Sequence, residues 1–92
     1  MMKVKFFATY RDITRRKEED VPAVPDIWAL LTLLAGRYGA KFRAELIAPD
    51  GKDVGANAII MVNGRSILHL QGKNTPLTET DIISIFPIVA GG

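Results

Sequence analysis

The residue types that ordinarily carry catalysis are nearly missing from this 92-residue chain. There is no cysteine, which excludes a thiol nucleophile, a disulfide framework and a thiolate metal site. His69 is the single histidine, so neither a ligand cluster nor a His-based nucleophile pair can be assembled; it reads as a loop or half-buried residue. Ser66 and Ser84 sit in no nucleophile-elbow motif. The stretch PDGKDVG matches neither a phosphate-cradling loop nor a calcium loop, and its Asp50 and Asp53 read as solvent-facing turn residues. Alone, the chain is expected to be no enzyme and to bind no metal or cofactor.

What remains is the end of the sequence, IFPIVAGG. Glycine usually serves a turn, a cap or a close backbone approach, and here nothing follows the pair to make it any of the first two. The carboxylate of Gly92 is ionised at neutral pH. It could attack the α-phosphate of ATP, expelling pyrophosphate and leaving an acyl-adenylate. That anhydride could pass its acyl group to sulfur or to an amine. The nucleotide must then be held by another protein, into whose site the terminus inserts. Extended, the segment from Phe86 to Gly92 reaches roughly 20 Å at about 3.3 Å per residue. Gly91 and Gly92 add no side-chain bulk at its tip.

The rest of the chain must present that terminus. KVKFFATY alternates as a first strand, with Val4, Phe6, Ala8 and Tyr10 on one side and Phe7 on the other. RDITRRK reads as a loop, and EEDVPAV as a short strand ending at Pro22. Pro25 suits a first helical position, Asp26 favours the positive end of the helix dipole, and Gly39 suits the stop. Val24, Ile27, Leu31, Leu34 and Tyr38 form an inward stripe, which Trp28, Leu30 and Leu33 widen toward core or interface. KFRAEL adds a helical turn; AIIMV is a buried strand, NG a hairpin turn, SILHL a brief continuation, and IISIFPIV the last strand. A mixed sheet of four to five strands with one main helix on one face is α+β, and the β-grasp (ubiquitin-like) roll is its natural member. Residues 1–92 form one domain, with 87–92 expected as a flexible reactive tail.

Twelve Lys+Arg against ten Asp+Glu leave a net charge of only +2, with the basic residues scattered, which argues against a nucleic-acid partner. Arg15-Arg16-Lys17 is cancelled by Glu18-Glu19-Asp20 and reads as a solvated turn. The apolar run from Ile27 to Ala35 is too short to span a bilayer, and MMKVKFF lacks a signal-peptide core. No membrane partner is expected, and the cytoplasm is the expected compartment.

KVKFFATYRD, VNGR and TPLTETDIISIFPIVAGG, at their spacing, resemble the MoaD family, the small subunit of molybdopterin synthase. The wider group holds the thiamine sulfur carrier and small archaeal ubiquitin-like modifiers. The resemblance covers essentially the whole chain; the D-x-I-S-I-F-P strand and the terminal Gly-Gly are its most specific parts. It implies that an E1-like enzyme uses ATP to adenylate Gly92 and that a sulfur donor protein converts the adenylate to a thiocarboxylate. The large synthase subunit then uses that sulfur for the dithiolene of molybdopterin. Gly91 and Gly92 match the reactive tail, Phe86 the aromatic beside it, and Arg11 an arginine that helps bind the partner. Ile88 stands where many members have a second proline, Ala23 and Val24 offer no Ser/Thr cap, and KFRAELIAPDGKDVGAN makes the chain longer. A tungsten-pterin pathway fits equally. The competing reading is a protein modifier joining Gly92 to target lysines. A thiamine carrier is disfavoured by the aromatic-proline step, and a purely structural interaction module is the outside case.

A parallel first and last strand would place Val4, Phe6, Ala8, Ile83 and Ile85 in the core. Phe7, Ser84, Phe86 and Ile88 would then share the free face. Phe7, Phe86 and Arg11 would form an aromatic patch rimmed by charge, continued toward the terminus by Pro87, Ile88, Val89 and Ala90, as a partner-binding surface.

Overall fold

The structure, a computed structural model, describes residues 1–88. In chain order the strands are β1 (Met2–Phe6), β2 (Glu18–Val21), β3 (Ala58–Val62), β4 (Arg65–Ser66) and β5 (Ile82–Pro87). The helices are α1 (Thr9–Thr14), α2 (Ile27–Tyr38) and α3 (Ala40–Leu46). The sheet order is β2-β1-β5-β3-β4. β1 and β5 are parallel, with Val4 opposite Ile83 and Phe6 opposite Ile85; the other pairs are antiparallel. This is the β-grasp arrangement, a mixed five-stranded sheet with helices packed on one face.

Period two in the strands sends Met2, Val4, Phe6, Ile60, Val62, Ile83 and Ile85 to one side, where all are buried. α2 covers them with Ile27, Leu30, Leu31 and Leu34, all fully buried, so Leu30 belongs to the core. Trp28 and Leu33 pack against that core while partly exposed. Phe42 of α3 centres an aromatic cluster with Phe6, Tyr10 and Tyr38, at centroid separations of 5.3–5.9 Å and edge-to-face angles. At the β2 edge, Arg37 pairs with Glu19 at 2.8 Å and the Tyr38 hydroxyl donates to the same carboxylate. Burial, and then Glu19 itself, push the Tyr38 hydroxyl up to about 12, so it remains a donor.

Several expectations are corrected. The first strand ends at Phe6; Ala8 takes φ 51 and is exposed, not core. That positive φ turns the chain into α1, which replaces the expected loop. Tyr10 is buried as expected, but from this helix rather than from a strand. Pro25 precedes α2, and Asp26 is its cap: the carboxylate accepts the Ala29 amide at 2.9 Å, supplying what Ala23 and Val24 cannot. SILHL continues the strand only through Ser66, then forms a 3-10 turn over Ile67–His69. The main helix is joined on the sheet by two shorter ones. Of the stretch 87–92 expected as a flexible tail, Pro87 pairs with Ala58 and the Ile88 amide donates to the Asn57 oxygen at 2.9 Å, while residues 89–92 lie outside the described residues.

The NG turn takes positive φ at both residues, 51° at Asn63 and 84° at Gly64, as a tight hairpin between β3 and β4 requires. Asn63 also pins the start of β5. Its side-chain oxygen accepts the Ile82 amide at 2.9 Å, and its Nδ2 donates to Asp81 at 2.9 Å. The other Asp81 oxygen accepts the Thr78 amide at 2.7 Å. Partial burial works to raise the Asp81 carboxyl, but the Thr78 and Asn63 donors outweigh it and hold it below the usual carboxylate range.

A depressed carboxylate stabilises the fold above its unfolded value, near 3.9, and that contribution is lost as pH falls through the lower folded value. Asp81→Asn would set an amide donor against the Asn63 amide. It should cost about 1 kcal/mol at pH 7, measured by chemical denaturation. The gap from wild type should close at acid pH, where the native Asp81 is itself protonated. A gap that persists below that range would remove the carboxylate from this role.

Candidate functional site

The free face of the sheet is graded. Glu18, Asp20, Lys3 and Lys5 occupy its β2–β1 side, with Lys3 2.8 Å from Glu18. Toward β5 and β3 it becomes apolar: Phe86 lies opposite Ile59, and Ser84 opposite Met61. Ile59 and Ile82 are each 41% exposed and Ile88 is 54% exposed. An open groove of about 380 Å³ continues past Ile59 and Ile88 to Leu68.

At the β1–β5 end of this face, Phe7 and Phe86 stack at 4.2 Å between centroids, with their planes 13° apart. Phe7 lies one residue beyond β1 yet keeps its alternation, because its amide donates to the Ile85 oxygen at 3.2 Å. The Arg11 guanidinium stands 5.2 Å from the Phe7 ring centre. It is held by its Nε–H, which donates to the Phe6 oxygen at 2.9 Å. The turn at Ala8 makes this possible: α1 folds back so that Arg11 returns to the strand it left. The site is thus a flat aromatic pair with a fixed cation above it, half-buried on a face with no helix over it.

Behind the patch, the strand end is held from the core side. Pro87 is the last residue of β5. Ile88 is tied to Asn57, whose oxygen also lies 3.2 Å from the Tyr10 hydroxyl. Burial pushes that hydroxyl well above its ordinary range, and Glu45, 3.1 Å away, pushes the same way, so Tyr10 stays protonated.

Of the residues named from the sequence, Phe7, Arg11 and Phe86 come together, with Pro87 next on the same strand and Ile88 directly after it. Val89, Ala90, Gly91 and Gly92 lie outside the described residues. Ile59, Met61 and Ile82 on the free face were missed. The signal was present, since period two in AIIMV with Ile60 and Val62 inward forces Ile59 and Met61 outward. Among the described residues no cluster of His, Asp and Glu could hold a metal ion, and no helix is long and apolar enough to cross a membrane. A cleft of about 410 Å³ lined by Thr9, Asp12, Ile13, Lys41 and Glu45 is open. The free face offers an apolar surface beside a strand end.

The model of the ThiS family matches residues 4–92. Small archaeal modifier protein 3 of Haloferax volcanii is 33% identical over 96 residues, spanning 99% of this chain and 98% of that one. The solution structure of small archaeal modifier protein 1 from Methanosarcina acetivorans superposes with a TM-score of 0.81 at 31% identity, covering 99% of this chain and 95% of that one. A Pyrococcus furiosus chain assigned as molybdopterin converting factor, subunit 1, gives a TM-score of 0.73 at 28% identity, covering 96% and 97%.

Phe6, on the buried side of the sheet, and Phe86, on its free face, should respond unequally to truncation. Phe6→Ala opens the core and should cost about 3–5 kcal/mol. Phe86→Ala removes half of a half-buried stack and should cost about 1 kcal/mol. Denaturant unfolding of the two variants checks this; equal losses would place Phe86 in the core.

Proposed function

The chain belongs to the ThiS family of ubiquitin-like sulfur carriers and modifiers, and we propose that it carries sulfur as a thiocarboxylate on Gly92. A carboxylate oxygen of Gly92 attacks the α-phosphorus of ATP held by an E1-like enzyme. The O–P bond forms, pyrophosphate leaves, and an acyl-adenylate results. Hydrosulfide sulfur, delivered by a donor protein, then attacks the carbonyl carbon; the C–S bond forms, AMP leaves, and a proton is released. Gly91 and Gly92 present no side chain in the channel where this happens. Val89 and Ala90 separate Ile88 from the glycine pair in the sequence.

The observation that carries this reading is the Phe7–Phe86 stack with Arg11 above it, placed one residue before Pro87 on the strand that leads to Gly92. A flat aromatic anchor with a cation at its edge has the composition of an interface centre. Its place beside the exit lets a partner grip the body while receiving the terminus. For the destination of the sulfur we favour molybdopterin, in which the large synthase subunit takes the thiocarboxylate. The support is the D-x-I-S-I-F-P strand and the likeness to the Pyrococcus furiosus chain. Conjugation to lysines is the second reading, and the 33% identity to small archaeal modifier protein 3 favours it. Both begin from the same adenylate.

Intact mass of the protein from its native host separates the two. A free chain ending at Gly92 with sulfur in place of one terminal oxygen supports carriage; a ladder of lysine conjugates supports modification. A mature chain extending past Gly92 would overturn both. In vitro, deleting Gly92 or adding one residue should abolish ATP–pyrophosphate exchange with the activating enzyme and leave the fold intact. Phe86→Ala should weaken binding to that enzyme by about 2 kcal/mol, read by titration. Full binding by Phe86→Ala would remove the patch from the interface.

A further inference from the structure

Two donors from opposite ends of the chain converge on one main-chain oxygen. The Ile88 amide reaches the Asn57 carbonyl at 2.9 Å, and the Tyr10 hydroxyl lies 3.2 Å from it. The hydroxyl also lies 3.1 Å from one Glu45 carboxylate oxygen, and the side-chain Nδ2 of Asn57 lies 3.5 Å from the other. Tyr10 comes from α1, Glu45 from α3, and Asn57 from the loop before β3. That loop is pressed onto α3: the Gly55 amide donates to the Leu46 main-chain oxygen at 2.8 Å, and a Cβ at Gly55 would stand 2.7 Å from the Glu45 main-chain oxygen.

Packing alone does not call for the hydroxyl. The Tyr10 ring is fully buried against Phe42, with centroids 5.3 Å apart, and a phenyl ring would fill the same space. What the hydroxyl adds is a single proton shared between the Glu45 carboxylate and the Asn57 carbonyl, which ties α3 to the carbonyl that holds Ile88. The same short helix holds the patch, since the Tyr10 amide donates to the Phe7 oxygen at 3.1 Å. One segment, Phe7 to Arg11, therefore fixes both the aromatic anchor and the point where the chain leaves the sheet.

We propose that Tyr10 is a positioning residue: with Glu45 and Asn57 it fixes the place and direction at which the chain departs after Ile88. It thereby sets how deep Gly92 reaches into an activating enzyme docked on the Phe7–Phe86 patch. This rests on the carrier reading of Gly92. A reacting carboxylate displaced by an ångström or so loses rate more than affinity, because docking is made elsewhere.

Tyr10→Phe is compared with Tyr38→Phe, which removes a similar tyrosine–glutamate bond at the far edge of the sheet. In Tyr10→Phe, exchange of the Ile88 amide should quicken about tenfold, with Ile83 and Ile85 unchanged. With the activating enzyme, kcat for ATP–pyrophosphate exchange should fall about tenfold while KM for the carrier stays within about twofold. Tyr38→Phe should change neither. The proposal is overturned if Ile88 stays protected in Tyr10→Phe, if it loosens with kcat unchanged, or if Tyr38→Phe loses as much. Wild type that supports no exchange at all would instead remove the carrier reading, and the proposal with it.

Discussion

The parallel pairing of β1 with β5 is the constraint from which the rest of the structure follows. It sets the first and last strands of the chain side by side at the centre of the sheet. With Val4 opposite Ile83 and Phe6 opposite Ile85, a single register decides which residues are core and which are free. A slip of β5 by one residue against β1 would turn Ser84 inward and Ile85 outward while Phe6 stayed inside, so the register is strongly specified. Because parallel neighbours cannot be joined by a tight turn, the whole intervening chain must serve as the connection, and α2 packs back on the sheet as it makes it. The free face, with Phe7 and Phe86 adjacent, is the necessary remainder of that choice.

How far the sequence revealed this depended on whether the information was local. Alternation in KVKFF and IISIF was enough to put Phe6 inside and Phe7 and Phe86 outside together, once the two strands were taken as parallel neighbours. Alternation failed at Ala8, where the chain leaves the pleat through a positive φ that a non-glycine residue rarely takes and no residue type announces. The same turn hid α1 inside a stretch too polar and too short for a helical pattern. Asp26 was recognised as favourable to the helix dipole but not as the cap, a difference of one residue that is typical at helix ends. Convergence of Tyr10, Glu45 and Asn57 on one point had no signal at all, because it joins three segments distant in sequence.

The two faces divide stability from recognition. The helix-covered side holds the buried aliphatic residues and the Phe42 aromatic cluster, and among the described residues no buried side-chain polar atom lacks a partner. The open side keeps Ile59, Ile82, Phe86 and Ile88 where the fold depends on them least. Removing apolar area there costs little folding free energy and leaves the surface available for a partner. The charged strip of Lys3, Lys5, Glu18 and Asp20 bounds the apolar region and discourages the β2 edge from pairing with another sheet.

A carrier that reacts at its terminus faces a requirement an enzyme with an internal active site does not. Its reacting atom must travel into a second protein, yet its depth there must be reproducible. Here the backbone is hydrogen-bonded to the sheet through Ile88. The four residues that remain span at most about 13 Å, at about 3.3 Å each. A partner gripping the Phe7–Phe86 stack measures that span from a rigid origin two residues before Ile88. A long side chain at the tip would widen the channel such a partner needs, and Gly91 and Gly92 add none. On the reading in which sulfur rides on that terminus, the chain needs no cysteine to carry it.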